Sequence, residues 1–589
     1  MPGPPKVMKK PKDSRKALRR VLSYMGPFRF VILLVLVLSF CSNLLALQGP
    51  RLAGSAINEA AAGAGLVNFD AVFHYARRML LCYAASSLIN ICINVTMMYV
   101  SKGIAKRMRA DVFSKLMKIP VGFYHRNAAG DIISRVSYDI DVVSTCLATD
   151  VVAILTCTVS VVGSLIMMVR ISPLMSLMVL VTIPVSVIFT IRMRKKTQPK
   201  YSRRSKCYGA MNGFVEEMLS GQKTIQAYAY EHKVEERFDE VNSTAANAYY
   251  EADYWGISIG PTMGCINNIS LGLIGVFGAV LYMNGIVGLG QISSFILYSR
   301  KFSGPINEIS NIFNEIFSAL AASERVFELL DQDEEPADRP DAMVLENARG
   351  DVELEHVVFG YLPEKIVIHD LSMKADSGKL IAIVGPTGAG KTTIISLLMR
   401  FYDPISGNIR VDGNDIRDYT RSSLRGAFAM VLQDTWVFRG TIFENIAYGK
   451  ENATMDEVVA AAKAAHIHPY IMRLPEGYNT VISEDGGNIS KGQKQLLTIA
   501  RAMLYDTSML ILDEATSNVD TGTEMQIQKA MRALMSDRTC FVIAHRLSTI
   551  RNADNILVID GGDVVEQGTH ESLMAARGFY YRLYSSQFE

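Results

Sequence analysis

Apolar residues are unevenly spread along this chain. They crowd into roughly the first 320 positions, in runs, and then give way to an ordinary soluble mixture. Four runs, Phe30–Leu47, Met79–Val100, Val151–Val169 and Pro173–Ile191, approach the ~20 residues a helix needs to cross a bilayer. Two more, Tyr254–Met283 and Ile286–Leu320, are long but more polar, the last being interrupted by Arg300, Lys301, Glu308 and Glu315. A helix beside a wet cavity tolerates such groups, whereas one facing lipid does not. The pattern predicts six crossings.

Charge between the runs sets the orientation. Lys9, Lys10, Lys12, Arg15, Lys16, Arg19 and Arg20 precede the first run, and Arg192, Arg194, Lys195 and Lys196 follow the fourth. The connections Arg170–Ser172 and Asn284–Gly288 are short. The excess of Lys and Arg on one side predicts both termini in the cytoplasm. Met1–Lys12 shows no small-residue cleavage site, so the first run is expected to stay as an anchor. The basic connections 101–150 and 192–250 are too long for loops. Helical patterning over Lys102–Ile119 and Ser202–Val241 predicts that membrane helices continue into the cytoplasm, with breaks at Asn127–Asp131 and near Gly213. Their tips are either solvated extensions or segments that press on a soluble domain.

Composition adds bounds. At 589 residues the chain is too long for one domain, and a net charge of +2 gives no pointer to nucleic acid. Mean hydropathy is +0.17, high for a soluble protein. The eight cysteines (Cys41, Cys82, Cys92, Cys146, Cys157, Cys207, Cys265 and Cys540) show no CxxC or metal-ligand spacing, so no catalytic thiol is implied. The acidic, twice proline-broken stretch Asp331–Asp341 reads as a boundary. The predicted organisation is a basic tail and elbow helix (1–27), a six-helix membrane domain (28–328), a linker (329–344) and an α/β domain (345–589).

The last part carries the chemistry. "LIAIVGPTGAGKTT" is a β-branched run, a Gly-rich turn and the start of an apolar helix; Gly385, Gly390, Lys391 and Thr392 satisfy G-x-x-x-x-G-K-[ST] in the required strand–loop–helix context. Glycines let backbone N–H groups curl around phosphate oxygens, Lys391 reaches the outer phosphates and Thr392 is placed for Mg²⁺. Downstream, "MLILDEATSNVD" is a strand that delivers Asp513 to a Mg²⁺ shell and Glu514 to an attacking water.

With these motifs in order, the chain resembles an ATP-binding cassette (ABC) half-transporter of the exporter type over nearly its whole length. The resemblance implies that Tyr361 in "VFGY" stacks on adenine. It implies that Gly385, Thr387, Gly388, Gly390, Lys391, Thr392 and Thr393 cradle ATP, and that Gln433 is the Q-loop glutamine near Mg²⁺ and the reaction. His545 in "VIAHRLSTI" matches the switch histidine, and Asp520 matches the D-loop aspartate. Gly130–Asp141 resembles the first cytoplasmic coupling segment, and the region near Gly213 lies where the second occurs. "NISKGQKQLL" (Asn488–Leu497) resembles the signature, usually Leu-Ser-Gly-Gly-Gln, with Lys491 in place of glycine and Ser490, Gly492 and Gln493 kept.

In this family two nucleotide domains sandwich two ATP molecules, each signature capping ATP on the other subunit. Lysine gives up backbone freedom and adds charge there. An altered signature beside Glu514 and His545 resembles the competent subunit of a bacterial heterodimeric multidrug exporter, whose partner lacks the carboxylate; a homodimer stays open. The resemblance implies ATP-driven efflux of drugs, lipids or peptides across a bacterial cell membrane. A homodimeric lipid flippase, an ATP-controlled channel or regulatory subunit, and a siderophore importer are the alternatives. Asn267, Asn268, Asn307, Asn311, Asn314 and Glu315 are candidate cavity groups, with helix–helix packing as the equal alternative.

Overall fold

The computed structural model describes residues 13–61, 67–362, 364–433, 435–483, 487–513, 520–544 and 550–588. The chain divides into two compact units, Met1–Ile119 with Phe123–Glu334, and Pro120–Gly122 with Glu335–Glu589.

The first unit is helical. In chain order it holds α1 (Ser14–Met25), α2 (Arg29–Ala60), α3 (Phe69–Leu116), α4 (Val121–Arg126) from Phe123 onward, α5 (Ala129–Ser134), α6 (Ile140–Ile171), α7 (Pro173–Ser220), α8 (Gln222–Ala227), α9 (Glu231–Ile257), α10 (Ile259–Met283) and α11 (Leu289–Leu330). A π-helical turn, Arg135–Asp139, joins α5 to α6. Among the described residues four helical stretches are long and apolar enough to cross a membrane: Arg15–Ala60, Phe69–Leu116, Ala129–Ile171 and Glu231–Met283. The other two expected spans fall in α7 and α11, where some side chains lie outside the described residues.

The unit leaves Phe30 (72 % exposed), Leu80 (69 %) and Leu88 (64 %) bare. Exposed apolar surface on this scale marks contact with something other than water, and lipid is the partner these spans require. Between helices, small polar residues do the joining, as expected where lipid is as apolar as leucine. Ser42 and Ser86 pair across α2 and α3, their hydroxyls 2.9 Å apart. A Cβ on Gly290 would sit 1.9 Å from the Gly54 carbonyl oxygen, so α2 and α11 approach as only glycine allows there.

Near the end of α11, Arg325 clasps Asp139 with two hydrogen bonds, of 2.8 and 2.5 Å. Asp139 is 3 % exposed. Arg325→Met would strand that carboxylate, and loss of one partner of a buried pair costs on the order of 3–5 kcal/mol. We expect a clearly lowered thermal midpoint for this variant in lipid, restored in part by adding Asp139→Asn; an unchanged midpoint contradicts the assignment.

One expected break moves. Gly213 lies inside α7, and the chain breaks instead at Gly221 and around Tyr228–Tyr230, where Ala229 takes φ +50°. A lone glycine in a long helical pattern costs only ~1 kcal/mol relative to alanine, which its neighbours absorb. The other break falls at Asn127–Ala128, between α4 and α5.

The second unit is built on a ten-stranded sheet. Its strands are β1 (Val352–Phe359), β2 (Ile368–Ala375), β3 (Leu380–Val384), β4 (Ser406–Val411), β5 (Asn414–Asp415), β6 (Phe428–Val431), β9 (Met509–Asp513), β10 (Thr539–Ile543), β11 (Asn555–Asp560) and β12 (Asp563–Gly568); β7 (Gly440–Thr441) and β8 (Val481–Ile482) form a separate pair. The order is β5-β4-β1-β2-β12-β11-β3-β10-β9-β6, and β11, β3, β10, β9 and β6 run parallel. Alternation along these strands feeds two cores. Ile381, Ile383, Phe541 and Ile543 enter one; Ala382, Val384, Val542 and Cys540 enter the other. Both faces are covered, as a parallel sheet requires.

The acidic stretch before this sheet is tied down at each end. Asp331 is held by Arg20 and Glu334 by Lys115 in the first unit. In the second, Arg425 holds Glu335 and Arg421 holds Asp338.

Candidate functional site

Parallel strands bring their C-terminal ends to one edge of the sheet, where ligands of such folds bind. In register, β3 pairs with β10, β10 with β9 and β9 with β6: Ile383 lies beside Ile543, Ile543 beside Asp513, and Leu512 beside Val431. At or just beyond those ends stand Gly385 with the Gly-rich loop, Ala544, Asp513 and Gln433. Four segments far apart in sequence therefore emerge at one edge.

The loop's shape explains its glycines. A Cβ on Gly385 would meet the Ile559 carbonyl oxygen at 2.1 Å, and Gly390 enters the helix Lys391–Leu398 at φ +106°. Thr387 and Gly388 are exposed at its tip. Thr392 is exposed in the first helical turn, whereas Thr393 is buried. The Lys391 ammonium donates to the carbonyls of Gly385 (2.8 Å) and Pro386 (3.0 Å), which folds it over the loop. Burial lowers its pKa, and the Asp513 carboxylate acts in the opposite sense. A half-buried ammonium on two neutral carbonyls, above a curl of backbone N–H groups, suits a polyphosphate. Thr392 and Asp513 bring a hydroxyl and a single carboxylate to the same place, the sparse donor set with which Mg²⁺ binds alongside phosphates.

Tyr361 is 46 % exposed. Its hydroxyl lies 3.1 Å from that of Thr393, and its ring packs edge-on against Phe359 and Tyr402. Sequence reasoning missed Tyr402. The signal was available in "FYDP", directly after the loop's helix, but the ring pairing is tertiary.

Gln433 is exposed beyond β6. Glu514 and His545 lie outside the described residues, although β9 and β10, which lead to them, do not. Asp520 caps the helix Thr521–Met535 through Thr523 N–H at 2.9 Å, and that backbone donor lowers its pKa. Of the candidate cavity groups, Asn267 is half-buried and Asn268 exposed on α10, and Glu315 is exposed on α11. The side chains of Asn307, Asn311 and Asn314 lie outside the described residues.

The signature segment forms a capping box. Ser490 N–H donates to Gln493 Oε1 at 2.9 Å and Gln493 N–H to Ser490 Oγ at 3.3 Å, opening the fifteen-residue helix Lys491–Tyr505. Gly492 is buried. Lys491 is exposed as the first helical residue. A cation there opposes the helix dipole by ~0.3–1 kcal/mol, a cost that an anion at the helix end removes.

Comparisons with known proteins agree with this geometry. Residues 32–306 match the model of the ABC transporter transmembrane region, and residues 368–517 that of the ABC transporter ATPase domain. The chain is 40 % identical over 580 residues to an uncharacterized ABC transporter ATP-binding protein, YfiC, of Bacillus subtilis, covering 98 % of this chain and 96 % of that one. It is 44 % identical over 510 residues to a fatty acid ABC transporter ATP-binding/permease protein of Mycobacterium bovis (86 % and 79 % covered). A bacterial Atm1-family ABC exporter solved with ATP bound superposes with a TM-score of 0.75 at 29 % identity, over 98 % of this chain and 99 % of that one. A helical, multi-pass membrane domain and an α/β ATPase are joined in one polypeptide: the chain belongs to the ABC transporter family as an exporter-type half-transporter.

Proposed function

We propose that this half-transporter works as one subunit of a heterodimer, supplying the hydrolytic site while its own altered signature caps a slowly used ATP on the partner. Tyr361 stacks on adenine; Gly385, Thr387, Gly388, Gly390, Lys391, Thr392 and Thr393 hold the phosphates; Thr392, Gln433 and Asp513 hold Mg²⁺. Glu514 accepts the proton of the attacking water, and His545 contacts the γ-phosphate. Ser490, Gly492, Gln493 and Asp520 act across the dimer interface. Six spans place both termini and the ATPase unit in the cytoplasm, with domain limits at 28–328 and 345–589. The cargo is amphipathic, and the names of the fatty acid transporter and of a lipid A-core flippase from Desulfotalea psychrophila, 36 % identical over 489 residues, favour the lipid class.

The observation that carries this reading is Lys491, exposed at the start of a helix whose capping residues are otherwise intact. The test is ATP turnover by the chain purified alone in lipid, with Glu514→Gln as the blank. The proposal expects little turnover alone and recovery on co-expression with a second half-transporter. Robust turnover alone, abolished by Glu514→Gln, means a homodimer and removes Lys491 from the argument.

A further inference from the structure

Helix α1 presents two different faces. One is docked on α3 and α11. Ala17 and Val21 are buried, the Arg20 guanidinium lies 4.4 Å over the Phe327 ring and holds Asp331 at 2.7 Å, and the Tyr24 hydroxyl donates to Asp111 at 2.8 Å. The opposite face is bare and mixed. Arg15 and Arg19 are exposed one turn apart, and Leu18 (47 % exposed) and Leu22 (52 %) stand on the adjoining strip.

Two neighbours fix the level of that face. The turn Gly26–Phe28 joins α1 directly to Phe30, Leu33, Leu34 and Val37, the exposed apolar start of α2. There the Arg29 guanidinium sits 4.9 Å over the Phe30 ring. On α3, Leu88, Ile91, Val95 and Tyr99 form an exposed stripe at helical spacing, which changes to exposed Lys102 and Lys106. An apolar run that ends in an aromatic and then in cations marks the boundary between membrane and water. A Cβ on Gly103 would meet the Phe28 ring at 2.7 Å, so this boundary and the start of α2 stand at one level. Helix α1 leads into that level and carries its bare leucines there.

A helix of this kind lies in the bilayer surface, its leucines at the acyl boundary and its long cations among the phosphates. The charges there are unbalanced. Lys16 and Arg20 turn to Asp331, whereas Arg15, Arg19, Arg29, Lys102 and Lys106 pair with no carboxylate among the described residues. No Asp or Glu occurs from residue 14 to residue 58, nor from residue 71 to residue 110. Cations without local acids favour lipids of net negative charge over zwitterions. A soluble anion would answer the arginines but leave the leucines in water. We propose that the bare face of α1, continued by Arg29, Lys102 and Lys106, binds the headgroups of anionic phospholipids.

The contact is read by Leu22→Trp in the full-length chain, in nanodiscs of equal parts phosphatidylcholine and phosphatidylglycerol with brominated acyl chains on one or the other. The same chain without the reporter subtracts the emission of Trp255 and Trp436. Quenching is expected to report a preference for phosphatidylglycerol that weakens with added salt. Adding Arg15→Gln and Arg19→Gln should lower that preference at least about fivefold, the factor for one cation near a charged surface. A reporter that neither lipid quenches means that something other than lipid covers the face, and overturns the proposal. Equal quenching by both lipids, or a preference unchanged by the two substitutions, overturns it as well. Should that variant fail to assemble, Lys102→Gln with Lys106→Gln, on a separate helix, decides by the same lowered or unchanged preference. Nucleotide turnover is not read, so failure here leaves the ATPase reading intact.

Discussion

Lys391→Ala is expected to lower ATP turnover by at least ~100-fold and to weaken nucleotide binding with it. The ammonium is held over the loop by the carbonyls of Gly385 and Pro386, and burial penalises its charge until a stronger partner arrives. Removing one preorganised group from a developing oxyanion costs ~10²–10³ in rate, and in the proposed arrangement this group touches the phosphates in the ground state as well. Turnover and fluorescent-nucleotide binding, measured together on the same preparation of the chain co-expressed with its partner half-transporter, should both collapse. The fold should not, since among the described residues the lost side chain hydrogen-bonds to loop carbonyls and its burial is a cost. Turnover within threefold of wild type, with binding intact, would remove Lys391 from the phosphate site.

Some of this site was legible because its cause is local. A loop that must curl around phosphate demands glycine where Gly385 approaches Ile559 and where Gly390 turns left-handed, and a lysine just after the last glycine. Such constraints write themselves into consecutive letters. Gln433 is the opposite case: no neighbour in sequence marks it, and its position at the sheet edge comes from β6 pairing in parallel with β9. Tyr402 meets Tyr361 only after the helix between them folds back. In the membrane unit hydropathy located the long apolar helices, but the break placed near Gly213 moved to Gly221, because one glycine is too weak a signal inside forty-eight helical residues. Glu315 stood out as a charge in an apolar run.

The cost of Lys491 and the capping box beside it bear on the same question from the other end of the cassette. Ser490 and Gln493 satisfy one another, so the helix Lys491–Tyr505 is complete without a nucleotide. Its exposed first residue is then free to be judged by what it meets. Glycine there would let the backbone approach a phosphate closely; lysine trades that approach for a long-range attraction. The proposal reads this exchange as retention of ATP over rapid turnover at the site this signature caps.

Glu514→Gln is expected to separate binding from hydrolysis where Lys391→Ala cannot. Asp513 ends β9 at the sheet edge, and the residue after it carries no burden of phosphate contact in the proposed arrangement. Glutamine keeps the shape and the hydrogen-bonding reach of the side chain but accepts no proton. Loss of a general base removes ~10²–10⁴-fold from the rate, so steady-state turnover should fall into the background of a nucleotide-free control. Nucleotide affinity should remain within a few-fold of wild type. ATP trapped during turnover should come off unhydrolysed, and the fraction trapped should rise with ATP concentration alone. Residual turnover above a tenth of wild type would mean that another group takes the proton, and the assignment of Glu514 would then fail even though the P-loop reading stands.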